Sequence, residues 1–134
     1  MGFRATPLKV AGAFHSPLMA PAAEGLAKAL EQVEFRPATA EVWSNVTARP
    51  HLRAAEGQGS SPDPAAVSAG IKKLLVEQLV KPVRWDQSCA DLIAAMKSRA
   101  NPTKYLEMAP GSVLKGLMRR IDRACEVTTH DQAN

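Results

Sequence analysis

Helix-like and strand-like segments alternate along this chain, and that alternation restricts the folds open to it more than any other sequence feature. Four segments repeat apolar residues at the spacing of one helix face, namely 17–33, 68–81, 86–96 and 112–121. Short apolar segments predict strands at 7–14, 41–47, 103–108 and 125–129. Because helices that alternate with strands pack in layers, the sequence predicts an α/β fold.

Polar and proline residues mark where the predicted helices begin and end. Ser16 is suited to the N-cap of the first helix, and Pro17 to its first position, where a missing N–H costs nothing. Pro82 ends the second helix. We expect polar N-caps at the three later helices: Ser68, Asp86 and Ser112. Residues 51–67 are polar and rich in Gly, Ser and Pro, which predicts an extended surface loop.

Composition excludes several classes of protein. The net charge is +4, but the basic residues are dispersed opposite the apolar stripes, and only six aromatic residues occur, so we expect no nucleic-acid site. No run of about 18 apolar residues occurs, so we expect no membrane span. Cys89 and Cys125 fit no paired metal spacing, and no metal site is expected. Two buried free thiols in a reducing cytoplasm are the predicted state.

His15 lies where a predicted strand meets a capped helix. Regular elements on both sides would fix the direction of its ring, as a general base requires. Taken alone, a histidine before a helix more often has a structural role. No Gly-x-Ser-x-Gly nucleophile segment occurs in these 134 residues. Ser16 directly follows the histidine and is better used as a helix cap, so the sequence contains a base without a nucleophile.

Gln78 is a polar residue on an otherwise apolar helix face. It follows Ile71 by seven positions and Leu74 by four, so it shares their side of the helix. One interpretation is a glutamine at the helix edge that reaches solvent or a loop carbonyl. The other is that this helix end, whose last carbonyls have no partner within the helix, orients a catalytic group. The residues alone favour the first.

Five motifs follow one another along the chain: Gly12-Ala13-Phe14-His15-Ser16-Pro17-Leu18-Met19, Pro21-Ala22, Ser44-Asn45-Val46-Thr47, Gln78-Leu79 with Pro82-Val83-Arg84-Trp85, and Glu107-x-x-Pro110-Gly111-x-Val113-Leu114-x-Gly116-Leu117. In this order they resemble the C-terminal part of malonyl-CoA:acyl carrier protein transacylase. The resemblance covers about residues 7–129.

The resemblance implies a fold, a reaction and two site residues. The fold is a partial three-layer, α/β-hydrolase-like acyltransferase core with mostly parallel strands and flanking helices. The reaction moves malonyl from malonyl-CoA to a serine and then to the phosphopantetheine thiol of acyl carrier protein, in fatty acid biosynthesis. No bound cofactor is implied, and family members are usually monomeric. His15 matches the general base, and Gln78 matches the residue whose backbone carbonyl orients it, which reverses the preference above.

Two further residues are candidates for substrate binding. Phe14 precedes the histidine as in the malonyl-selective acyltransferase domains of polyketide synthases, so it favours malonyl. Asn45 either holds its loop near His15 through side-chain-to-backbone bonds or contacts substrate.

The resemblance also indicates which parts of the family site have no match here. The family's acylated serine, its carboxylate-binding arginine and its oxyanion-hole amides correspond to no segment of residues 1–134. We therefore expect 1–134 to be the C-terminal portion of a malonyl/acyl transferase domain, inactive by itself. Two alternatives stay open. One is an acyltransferase region of a polyketide synthase. The other is a non-catalytic remnant that binds carrier protein through basic groups: Lys115, Arg119 and Arg120.

Overall fold

A computed structural model describes residues 7, 10–36, 38–51, 63–98, 103–108 and 110–130. The chain divides into two compact units, the first formed by Met1–Val46 with Pro50–Val83 and the second by Thr47–Arg49 with Arg84–Asn134. Among the helices that the structure describes, none combines the length and apolarity needed to cross a membrane.

The first unit is built around two helices. A single 3₁₀ turn, Pro17–Met19, leads into α1, Ala20–Glu31. After β1, Trp43–Ser44, and β2, Arg49–Pro50, the chain forms α2, Pro64–Gln78. The two helices pack against each other, and Lys72 Nζ donates a hydrogen bond to the last carbonyl of α1, at Glu31, over 3.3 Å. The predicted helix start at Ser16 and Pro17 is confirmed.

The second helix begins earlier than the sequence analysis predicted. Asp63 is its N-cap, with Oδ1 accepting from the Ala65 amide at 3.0 Å, and Pro64 is its first residue. The loop prediction 51–67 is therefore wrong over its last four residues, and Ser68 is an interior helical residue instead of a cap. Burial of Val67 supplies the reason, because it extends the apolar face of the helix by one turn. Residues 52–62 of that loop lie outside the described residues.

Two of the predicted strands are shortened or absent. Residues 10–14 form bends and a turn, so the strand predicted at 7–14 is wrong there, and residues 8 and 9 lie outside the described part. Apolar composition alone does not make a strand, since a strand needs a neighbour to pair with. The strand predicted at 41–47 is reduced to β1.

The second unit has two helices against a parallel pair of strands. Its elements are α3, Trp85–Lys97; β3, Tyr105–Glu107; α4, Val113–Ile121; and β4, Val127–Thr129. The strands are in parallel register, with Tyr105 opposite Val127 and Glu107 opposite Thr129. Side chains from both helices, from β4 and from the segment just before β4 form its apolar core: Cys89, Ile93, Met118, Cys125 and Val127. Helices packed on parallel strands confirm the predicted α/β class.

One predicted cap in this unit is wrong, and the other is confirmed in position only. Helix α3 begins at Trp85, so Asp86 lies in its first turn instead of capping it. An acidic residue there still interacts favourably with the positive end of the helix. Ser112 occupies the N-cap position of α4, but its side chain makes no capping hydrogen bond.

Candidate active site

His15 is held against the C-terminal end of α2 by two hydrogen bonds. Its backbone amide donates to the Leu79 carbonyl at 2.9 Å, and its Nδ1 lies 2.8 Å from the Gln78 carbonyl oxygen. The last carbonyls of a helix have no partner within the helix, so they are free to accept from another segment. The site thus joins residues separated by 63 positions in sequence, both in the first unit.

This contact fixes the tautomer of the neutral ring, that is, which of its two nitrogens carries the hydrogen. A carbonyl oxygen can only accept, so Nδ1 must carry the hydrogen in this bond. The other nitrogen, Nε2, then has the free lone pair. The half-buried ring is therefore oriented by one nitrogen and has the other available to take a proton.

The backbone at His15 adopts a conformation that few side chains accept. Its φ is +64°, in the left-handed region, which costs about 1–3 kcal/mol for a residue other than glycine. Ser16 fixes the turn on both sides, because its Oγ donates to the Ala13 carbonyl at 2.7 Å and accepts from the Leu18 amide at 3.3 Å. The Ser16 hydroxyl is used in these bonds, which agrees with its role as a cap.

The two substrate-binding candidates lie on separate segments of the first unit. Phe14 is 52% exposed, and a Cβ built on Gly12 would lie 3.4 Å from its ring. Asn45 directly follows β1 and is half-buried. Within the described ranges, no hydrogen bond joins either residue to His15 or Gln78, so their assignment stays a prediction.

Glu107 is the one buried acid among the described residues, and its hydrogen bonds indicate a structural role. It is 3% exposed, its Oε1 accepts from the Leu114 amide at 2.9 Å, and its Oε2 accepts from the Lys115 amide at 3.0 Å. The carboxylate therefore caps α4 from β3 and braces the turn at Gly111, whose φ is +92°. An acid at a strand end just before a Pro-Gly turn predicts such a bracing carboxylate from the sequence, and the structure has it there.

A basic groove of about 510 Å³ lies beside β4 in the second unit. Its charged lining residues are three basic side chains and one acid, and the strand residues of β4 also line it: Lys115, Arg119, Arg123 and Glu126, with Val127, Thr128 and Thr129. Two of the three basic residues that the sequence analysis named are in this lining, while Arg120 is not. In the part of the chain that the structure describes, no group of three metal-binding side chains occurs.

Comparisons by sequence and by structure both match this chain to malonyl transacylases. The chain is 39% identical over 120 residues to the malonyl CoA-acyl carrier protein transacylase of Bacillus subtilis strain 168, covering 90% of this chain and 32% of that relative. Over most of its length the chain is similar to malonyl CoA-acyl carrier protein transacylases. No family model matches it.

Two solved structures extend the comparison to the transacylase fold. An acyl carrier protein S-malonyltransferase from Vibrio cholerae superposes with a TM-score of 0.72 at 34% identity, over 97% of this chain and 36% of that one. A malonyl-transacylase in complex with a type II polyketide synthase acyl-carrier protein gives 0.76 at 31% identity, over 97% and 36%. The chain spans about a third of the length of the transacylases it matches. The resemblance predicted from the motifs is confirmed.

Proposed function

We propose that this chain supplies the general base of a malonyl-CoA:acyl carrier protein transacylase. The observation that carries the proposal is the 2.8 Å contact from His15 Nδ1 to the Gln78 carbonyl, which leaves Nε2 as the proton acceptor. The C-terminal end of a helix carries partial negative charge, so it stabilises the positive ring that forms once Nε2 is protonated. A neutral carbonyl does this less strongly than the carboxylate of a Ser-His-Asp triad, but it fixes the same tautomer.

The proposed reaction has two transfers that share one base. A serine hydroxyl, supplied by polypeptide outside these 134 residues, gives its proton to His15 Nε2 while its oxygen attacks the thioester carbon of malonyl-CoA. The carbon–sulfur bond breaks, and the coenzyme A thiolate takes the proton from Nε2. In the second transfer the phosphopantetheine thiol gives its proton to Nε2 and its sulfur attacks the ester. The serine oxygen leaves and regains the proton.

The substrates and partner follow from the same proposal. Malonyl-CoA donates the acyl group, acyl carrier protein receives it, and no resident cofactor takes part. Phe14 borders the acyl site and favours malonyl over larger acyl groups, and Asn45 is the second proposed contact to substrate. The basic groove lined by Lys115 and Arg119 offers a docking surface of suitable charge for an acidic carrier protein. Two free buried cysteines fit a reducing cytoplasm.

A polyketide pathway is the second candidate. The transacylase of Bacillus velezensis named for polyketide biosynthesis is 34% identical over 122 residues, and the complexed structural neighbour carries a polyketide carrier protein. Comparing the rate of malonyl transfer to a fatty-acid carrier protein and to a polyketide carrier protein would separate the two pathways.

The test uses the chain by itself and within a whole enzyme. Incubated with radiolabelled malonyl-CoA, residues 1–134 are expected to acquire no label, because they lack the acylated serine. In a chimera, this chain replaces the matching 120 residues of the Bacillus subtilis relative and is expected to support malonyl transfer. Stable acylation of the isolated chain, or a chimera that folds but transfers nothing, would contradict the proposal.

A further inference from the structure

Helix α2 ends with two carbonyls that the next residues would occupy if the helix continued. In an α-helix each amide donates to the carbonyl four residues earlier, so residues 82 and 83 would serve Gln78 and Leu79. Residue 82 is Pro82, which has no N–H to donate. A proline also disfavours helical backbone at the residue before it, here Lys81. Pro82 therefore ends the helix and leaves the Gln78 carbonyl without its regular partner.

His15 supplies both missing donors. Its Nδ1 lies 2.8 Å from the Gln78 carbonyl oxygen, the acceptor that an amide at position 82 would use. Its backbone amide donates over 2.9 Å to the Leu79 carbonyl, the acceptor that the amide of Val83 would use. One residue from a remote segment thus replaces two consecutive helical amides. An amide at position 82 would compete with the ring for the same oxygen.

A side-chain bond closes the turn that presents these carbonyls. The Glu77 carbonyl accepts from the amides of Val80 and Lys81 at 3.1 and 3.0 Å. The Glu77 carboxylate accepts from Lys81 Nζ at 2.6 Å. This bond lowers the pKa of Glu77, so the pair stays ionised at neutral pH. Residues 77 and 81 are joined through backbone and side chains, with Gln78 and Leu79 between them.

We infer that Pro82 is a positioning residue for the His15 ring, and that the Glu77–Lys81 pair assists it by holding the turn. Pro82 acts by withholding an amide. It keeps the Gln78 carbonyl for Nδ1, and so it keeps Nε2 as the nitrogen that can take a proton. The inference rests on the proposed function for the use of that nitrogen in catalysis, and on the geometry alone for the tautomer of the ring.

The test measures the tautomer of the neutral His15 ring by NMR in residues 1–134 labelled with nitrogen-15 at histidine. The chain has three histidines, and loss of one set of signals in His15→Gln assigns the ring. Pro82→Ala adds an amide that competes for the Gln78 carbonyl, so the ratio of Nδ1–H to Nε2–H rings should fall about fivefold, the effect of one lost hydrogen bond. Pro21→Ala is the matched control, because Pro21 lies in the first turn of α1, where a missing amide costs nothing. It should leave the ratio unchanged.

A second variant protects the test against misfolding. Lys81→Met keeps the proline and removes only the side-chain bond, so the ratio should fall about twofold, as expected for an exposed ion pair. Lys73→Met is its control, since Lys73 Nζ lies 4.0 Å from the same carboxylate and should not affect the ratio. The native ratio in folded Pro82→Ala overturns the inference. If Pro82→Ala does not fold, the native ratio in Lys81→Met overturns it.

Malonyl transfer by the chimera tests the proposed function separately. Pro82→Ala should lower kcat about tenfold with KM unchanged, because the base is misdirected while substrate binding is retained. A chimera with Pro82 that folds and transfers nothing would remove the proposed function, and the tautomer ratio would still decide the role of Pro82. An active chimera in which Pro82→Ala retains the parent kcat overturns the positioning role.

Discussion

His15 and Glu107 perform the same local task in the two units, and they end in different chemical states. Each is a polar side chain outside a helix that satisfies free backbone groups at the helix end; His15 lies 63 positions from its partner, and Glu107 lies seven and eight positions from its two partners. His15 donates to a carbonyl at the C-terminal end of α2, and Glu107 accepts from two amides at the N-terminal end of α4. Both contacts suit the partial charge of the helix end concerned.

The difference lies in what remains after the helix end is satisfied. Glu107 uses both oxygens and is 3% exposed, so it has no atom left to react. His15 uses one of two ring nitrogens in this contact and stays half-buried, so the second nitrogen is oriented and has a free lone pair. A buried acid thus proves structural and a partly exposed histidine is the candidate base. The unused atom is a better indicator of function than the residue type.

The largest effect on activity is expected from removing the free Nε2 atom of His15. In the chimeric transacylase described above, His15→Ala should lower kcat/KM for malonyl transfer by about 1,000-fold, because it removes the proton acceptor. His51→Ala is the control, since no role is assigned to that residue. Activity within threefold of the parent chimera for His15→Ala would show that His15 serves only to bind the helix end.

The buried core of the second unit should be unreactive toward alkylating reagents, in contrast to the half-buried His15 ring. Burial raises the pKa of the Cys89 thiol from 9.0 to about 11, with the neighbouring Cys125 and Asp86 adding to the shift. At pH 8 the thiolate is the reactive form, so iodoacetamide should modify Cys89 about 100-fold more slowly than a free peptide thiol. A cysteine introduced by Val113→Cys, at an exposed position, should react at the free rate.

The same shift predicts a dependence of stability on pH. The pKa of Cys89 is higher in the folded than in the unfolded chain, so its contribution is complete below pH 9 and is lost as the pH rises toward about 11. Rapid alkylation at pH 8, or a Cys89→Ala variant with the same loss of stability above pH 9, would contradict the unreactive buried core.

Glu107→Ala should destabilise the first turn of α4. The change leaves the Leu114 and Lys115 amides without their charged acceptor, at a cost of about 2 kcal/mol, which corresponds to about 30-fold faster amide exchange. Glu126→Ala, at an exposed neighbouring acid, should leave both amides unchanged. Unaltered exchange in the Glu107 variant would mean that α4 is capped in another way.

The smallest effect is expected at Ser16, which caps the helix that follows it, whereas Glu107 caps α4 in place of Ser112. Ser16→Ala should speed exchange of the Leu18 amide about fivefold, the equivalent of about 1 kcal/mol for a lost N-cap. Ser112 occupies the same position at α4 without a capping bond, so Ser112→Ala should leave the Leu114 and Lys115 amides unaffected. Equal effects of the two substitutions would remove the distinction between the two helix ends.

Sequence reasoning succeeded where the signal is local. Ser16 followed by Pro17 specifies a helix start through neighbouring backbone groups, and the structure has it there. The strands predicted at 103–108 and 125–129 contain β3 and β4, because short apolar segments with turns on both sides are typical of strands. The order of the motifs indicated the transacylase resemblance, which the comparisons confirm.

Sequence reasoning failed where a group outside the expected local pattern decides the outcome. Residues 10–14 have strand-like composition, but the two hydrogen bonds of His15 to the end of α2 favour a turn there. Ser112 has the right side chain for a cap, but Glu107 reaches the same helix from β3. Asp63 and Pro64 were a readable start signal for α2 that the polar character of 51–67 obscured.

The sequence by itself therefore determined the helix periodicity, the presence of an isolated histidine before a helix, and the family likeness of its motifs. Tertiary structure alone decided which nitrogen of His15 is free and which acid caps α4. Both outcomes depend on which backbone groups remain unpaired once the helices and strands have formed. An unpaired carbonyl or amide can be matched by any donor or acceptor that the fold brings near, so local sequence cannot specify the partner.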